Sequence, residues 1–287
     1  MRYSTLCCFT LLAAPLPAQQ AGPWDLVART FGRPTPASGD AYRVNFPRTD
    51  LAVKVGDVTI QPALALSSWA AFAGAGDSAD VMGDLVLTEL ELPGVTASLL
   101  AANFDVTAIH HHLLGEAPRI YYLHYHGRGP AAALASNLKE ALGRSGTPLA
   151  SPPTPSAAAA ALDTAALFGA LGVHGRVTGD VASVGVATSG SHATMDGRAI
   201  PLAQGLGTAI NIQSVTANRV VATGDFVVSG ARLRPLLRAL TISGIRVTAV
   251  HNHLVGEEPR AFFVHFWGDG EPLALARWLK AAIDSAK

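Results

Sequence analysis

The chain has 287 residues, 49% of them hydrophobic and 15% charged, with 21 basic and 21 acidic side chains. That length fits one large or two modest domains, each able to bury a core. Zero net charge removes the electrostatic case for a nucleic-acid or anionic-membrane partner, and the low charge with ample aliphatic residues excludes a disordered chain.

Read from the start, residues 1–18 (MRYSTLCCFTLLAAPLPA) have a short basic start, an apolar run from Leu6 to Ala14, and two prolines before Ala18. This pattern predicts a secretory signal peptide cleaved near Ala18 and a periplasmic or secreted protein. Cys7 and Cys8 stand at the start of the apolar run, where a lipidation site does not fall. They are the chain's two cysteines, so a mature form cut at Ala18 has neither disulfides nor thiolate metal sites. No later stretch reaches the ~18–20 apolar residues of a membrane span.

Next come a short helix carrying Trp24, Leu26, Val27 and Phe31, and β-like runs over Tyr42–Pro47 and Val53–Ile60. The strand Gly83-Asp84-Leu85-Val86-Leu87 leads into a helix ending near Ala102, whose start has Thr88 and Glu91 at capping-box spacing. A strand Val106–His112 turns through Leu113–Arg119 into a strand Ile120–His126, and Pro130 opens a last helix with Leu134, Leu138 and Leu142 on its buried face.

The whole series then recurs. Residues 247–268 match residues 106–127 at 12 of 22 positions with an offset of 141. Gly224-Asp225-Phe226-Val227 aligns with Gly83-Asp84-Leu85-Val86, and Leu275, Leu279 and Ile283 align with the leucines of the earlier helix. Leu162, Leu167, Phe168 and Leu171 supply the second opening helix, and a later one ends near Leu240. The expected layout is a first repeat domain at 19–143, a Pro/Ala-rich linker at 144–160 and a second repeat domain at 161–287. The expected class is α+β, two homologous repeats, each an antiparallel sheet packed with helices.

Chemistry concentrates in the matched windows, which hold eight of the ten histidines. Alternate residues on a strand share a face, so His110 and His112 point the same way, and an antiparallel return brings His124 beside them. Glu116 follows on the connecting loop, and the second copy offers His251, His253, Glu257 and His265 in the same order. Two or three imidazoles with a carboxylate suit a divalent transition metal, zinc first, with Glu116 and Glu257 as bases if the ion activates water for hydrolysis. The alternative is a non-catalytic module in which the histidines are hydrogen-bonded structure. Arg119 and Arg260, closing the same loop, either bind an anion or pair with the neighbouring glutamate. Asp84 and Asp225 either orient a histidine or cap a turn. His111 aligns with Asn252 and His126 with Trp267, which makes His111 and His126 poorer ligand candidates. The partner class read here is a small molecule or an envelope component.

The paired Val-Thr-Ala-(Ile/Val)-His-x-His-Leu-x-Gly-Glu-x-Pro-Arg windows, each preceded by Gly-Asp-(Leu/Phe)-Val, resemble the LppY/LpqO family of exported bacterial proteins with a domain of unknown function. The resemblance implies an envelope location and supplies no established catalytic residues.

Overall fold

The computed structural model describes residues 22, 24–34, 41–75, 77–150 and 162–287. The expected signal segment and residues 151–160 of the expected linker lie outside them. In the first half the elements are α1 (Asp25–Phe31), β1 (Ala41–Pro47), β2 (Lys54–Val55), β3 (Val58–Thr59), β4 (Ser67–Ala75), β5 (Ser78–Thr88), α2 (Leu92–Ala101), β6 (Asp105–His110), β7 (Glu116–Ala117), β8 (Ile120–Gly129) and α3 (Ala131–Leu142). In the second half they are α4 (Thr164–Leu171), β9 (Gly175–Thr178), β10 (Val181–Val186), β11 (Thr194–Met195), β12 (Arg198–Ala199), β13 (Thr208–Thr216), β14 (Arg219–Ser229), α5 (Gly230–Ile242), β15 (Arg246–His251), β16 (Ala261–Gly270) and α6 (Pro272–Ala286).

Each half builds one principal antiparallel sheet, in the order β1-β4-β5-β8-β6 and β9-β10-β13-β14-β16-β15. Apart from β9, the second order repeats the first strand for strand. One face of each sheet carries its own helices. Leu85, Leu87, Leu123 and Tyr125 pack with Leu134, Leu138 and Leu142 of α3. Phe226, Val228, Val264 and Phe266 pack with Leu275, Leu279 and Ile283 of α6. Both helices use the faces their leucine spacing predicts.

The opposite faces pack on each other. Val86 and Tyr122 of the first sheet share a cluster with Val181, Val221 and Trp267 of the second. Met82 lies among Leu206, Val227 and Phe263. The molecule is therefore layered helix, sheet, sheet, helix. This explains why β5 and β14 are buried along almost their whole length: a strand covered on both sides has no solvent face. Polar bonds cross the same seam. Asn211 Nδ2 donates to the Leu64 carbonyl at 2.9 Å, Gln213 Nε2 to the Thr59 carbonyl at 2.8 Å, and Gln204 Nε2 to those of Ala71 and Asp80.

Three local expectations are revised. Residues 53–60 form the tight β2–β3 hairpin, not one run. Helix α2 starts at Leu92, so Glu91 is its N-cap residue; its carboxylate accepts the Thr88 N–H at 2.8 Å, completing only one side of the expected capping box. Strand β6 stops at His110, so His112 stands on the loop after it.

Candidate metal centre

The pleat of β5, β6 and β8 fixes His110 and His124. Asp84 on β5 pairs with His124 on β8, and two residues along β8 Tyr122 pairs with His110. In the second half Asp225 pairs with His265, and Phe263 with His251. These residues face the seam between the sheets, so the two hairpins deliver their side chains to one place. The ligands expected on the two hairpins therefore meet in one shared cluster, within which one donor set, Asp225, His251, His253 and His265, lies wholly in the second half.

Rings of opposite halves stack in pairs. His110 lies 3.8 Å from His251, His112 3.7 Å from His265, and His124 3.7 Å from His253, centroid to centroid. Tyr122 backs His112 at 3.5 Å, and Phe263 backs His253 at 3.4 Å. The pairs exchange under the sequence offset of 141, as about a local two-fold axis.

Each half adds one aspartate. Asp84 Oδ2 lies 3.2 Å from His112 Nε2 and 3.9 Å from His124 Nε2. Asp225 Oδ2 lies 2.9 Å from His253 Nε2, and its Oδ1 lies 3.9 Å from His265 Nε2. None of these approaches is aligned as a hydrogen bond, and both ring nitrogens of His110, His251 and His253 lack partners. His112 Nε2, His124 Nε2, His265 Nε2 and one oxygen of each aspartate are unpartnered too. Buried polar atoms left unpaired cost about 1–3 kcal/mol apiece, so so many in one place point to a missing ligand.

The ring orientations are set by backbone carbonyls. His124 Nδ1 meets the Gly83 carbonyl at 3.1 Å, and His265 Nδ1 meets that of Gly224 at 2.8 Å. A carbonyl only accepts, so Nδ1 carries the proton and Nε2 presents its lone pair to the cluster, as a metal ligand requires. Glycine at these two positions is required by the neighbouring strand: a Cβ on Gly83 would meet the Trp69 carbonyl oxygen at 2.2 Å, and one on Gly224 that of Ala209 at 2.0 Å.

Burial keeps five of the imidazoles neutral. It holds His110, His112 and His124 well below the ordinary histidine range, with the neighbouring histidines adding to the effect, and it lowers His251 and His265 as well. Burial and the Asp225 carboxylate push Asp84 well above the usual carboxylate range. Neutral imidazoles are the ligand form, and a bound cation would reverse the penalty on Asp84.

Three sets of donors come together closely enough for one ion: Asp225, His251, His253 and His265; His110, His124 and His251; and His110, His112 and His265. Within each set the ligand atoms lie within 4.8 Å of one another. Glu116 and Glu257 belong to none of them. Each carboxylate turns back on its own hairpin, Glu116 toward the Ile120 N–H at 3.5 Å and Glu257 accepting from the Ala261 N–H at 3.2 Å. Asp225 takes the ligand place expected of Glu257, whereas Asp84, like Glu116, belongs to none of the sets. Arg119 and Arg260 are exposed at the turns, and Arg260 Nε stands 3.8 Å from Glu257, the pairing alternative read from sequence. His126 points away, to Asp80 at 3.1 Å.

Sequence reasoning missed Thr107 and Thr248. Each sits at a register shift in its edge strand, β6 or β15. Thr107 Oγ1 donates to the His253 carbonyl at 2.6 Å, and Thr248 Oγ1 to the His112 carbonyl at 2.8 Å. Each half thus holds a histidine-bearing loop of the other. Their identity in the two matched windows was the available signal.

Fold and site together define a protein with two α+β domains and a buried histidine–aspartate cluster between them. A family model described as Domain of Unknown Function (DUF1259) matches residues 25–144 and 165–285, and the chain belongs to that family with two copies of its domain. No curated protein matches the chain. Among solved structures, a trimeric bacterial microcompartment shell protein, PduB, is 14% identical over 88% of this chain and 89% of that one. Its TM-score of 0.21 carries no argument about this fold.

Proposed function

We propose that this is an exported bacterial envelope protein that holds a divalent transition metal between its two domains, zinc being the first expectation for a histidine–aspartate donor set. The observation that carries the reading is the convergence of six histidines, four buried and two half-buried, with Asp225, in donor sets rich in unpartnered atoms. Residues 1–18 and the resemblance of the paired windows to the LppY/LpqO family support export to the periplasm or beyond. The inward turn of Glu116 and Glu257, which leaves neither expected base against the donor sets, favours binding or storage over hydrolysis.

The test is metal analysis of protein purified without a histidine tag, with melting curves recorded before and after chelation. A ligand bound only by the native state at about a thousand times its Kd adds about 4 kcal/mol of stability, so the loaded protein melts well above the chelated one. Metal-free protein that takes up no zinc, cobalt or nickel, with a chelator-insensitive melt, would show the histidines to be scaffold.

A further inference from the structure

We infer that the cluster is dinuclear and unsymmetrical, with one ion closed in by four protein donors and a second held by three histidines and open to a small exchangeable ligand. This rests on the metal reading above. The first argument is capacity. A divalent first-row ion in such a site takes about four protein ligands, and the unpartnered buried atoms on six histidines and two aspartates exceed what one ion can satisfy.

The second argument is which donor sets are compatible. His265 commits Nδ1 to the Gly224 carbonyl, so it has only Nε2 to give. If Nε2 joins the set with Asp225, His251 and His253, the set of His110, His112 and His265 cannot fill at the same time. The set of His110, His124 and His251 can. It shares only His251 with the first, and His251 has both ring nitrogens free of partners. One nitrogen can face each ion. Binding the second ion then requires the remaining ring proton of His251 to leave for solvent, so uptake of that ion releases a proton.

The two positions differ in kind. Four donors complete a tetrahedral shell, as in closed structural sites, whereas three leave a fourth position for water or a small anion. Asp84 Oδ2 lies 3.9 Å from Nε2 of His124, one of the three donors of the second ion.

Cobalt(II) titration of the metal-free full chain, read by bound metal per chain and by visible absorption, tests this. The expected result is two ions per chain in two steps, with azide altering the spectrum only after the second step. His124→Ala should keep the first step and lose the second together with the azide response. Asp225→Asn should weaken the first step by about ten- to a hundredfold or more, the range that even supporting groups of a metal site command. One ion per chain, weakened alike by both substitutions, would overturn the dinuclear assignment and leave the metal reading standing. No bound ion would overturn both. If either variant fails to fold, the wild-type stoichiometry and its azide response decide the question.

Discussion

At the scale of single residues, the metal-free protein carries a burden that pH exposes. His110, His112, His124, His251 and His265 are all held below the ordinary value of 6.5 by burial. In the unfolded chain they protonate as pH falls through about 6.5, while the folded state keeps them neutral. Unfolding then takes up protons, so the stability they contribute is present above 6.5 and is lost as pH falls below it. Asp84 works in the opposite sense, because its raised pKa lets the folded state hold a proton that the unfolded chain has released above 3.8. Five groups outweigh one, so urea midpoints of the chelated protein should fall steadily between pH 7 and pH 5. A midpoint that rises over that interval would contradict the neutral, buried state of the imidazoles. Crowding at the carbonyls that orient His124 and His265 is a second vulnerability. Gly224→Ala would drive its Cβ against the backbone of Ala209 and Ile210. We expect a loss at or above the top of the about 1–3 kcal/mol that overpacking costs, measured by the same urea unfolding, and a wild-type midpoint would disprove the close fit.

At the scale of elements, the first half hangs on one buried cation. Arg48, at the end of β1, is fully buried; it donates to Asp50, to both oxygens of Glu91 and to the Val86 carbonyl of β5. Glu91 in turn caps toward Thr88 and accepts the Gly146 N–H beyond α3. Removing Arg48 leaves the buried Val86 carbonyl and the partly buried Glu91 carboxylate unpaired, at about 1–3 kcal/mol. Arg48→Ala should therefore cost that much in urea unfolding without changing metal stoichiometry, and a loss under about 1 kcal/mol, the range of a surface pair, would show the network to be dispensable. Arg48 did not stand out in the sequence, and Glu91 did so only as half of a capping box, because the two residues are 43 positions apart with no local pattern to join them. What was legible was local. Leucine spacing gave the buried faces of α3 and α6, and alternation placed His124 beside His110. The end of β6 before His112 was hidden, since the bulge at Thr107 depends on a bond to the other half. The glutamates misled for a related reason: spacing put a carboxylate near the histidines, but the turn directs it back to its own N–H groups.

At the scale of the whole molecule, the seam between the sheets is apolar core on one side and donor atoms on the other. Val86 and Tyr122 pack with Val181, Val221 and Trp267, so neither sheet buries its inner face alone. Calorimetry of metal-loaded protein should show one cooperative transition, and two resolved peaks would mean energetically separate domains. No local pattern says what covers the second face of each sheet, and this is why the two sets of histidines were read hairpin by hairpin. The stacking of His110 on His251 has a consequence of its own. These two positions are equivalents under the repeat offset, so they lie where a symmetry axis would run. A protein with a single copy of the domain could build the same contact only as an isologous dimer, one histidine facing its own image, and every substitution would then enter twice. Carrying both copies in one chain lifts that constraint. His111 and Asn252, or His126 and Trp267, can differ, and the two sides of the cluster are free to specialise.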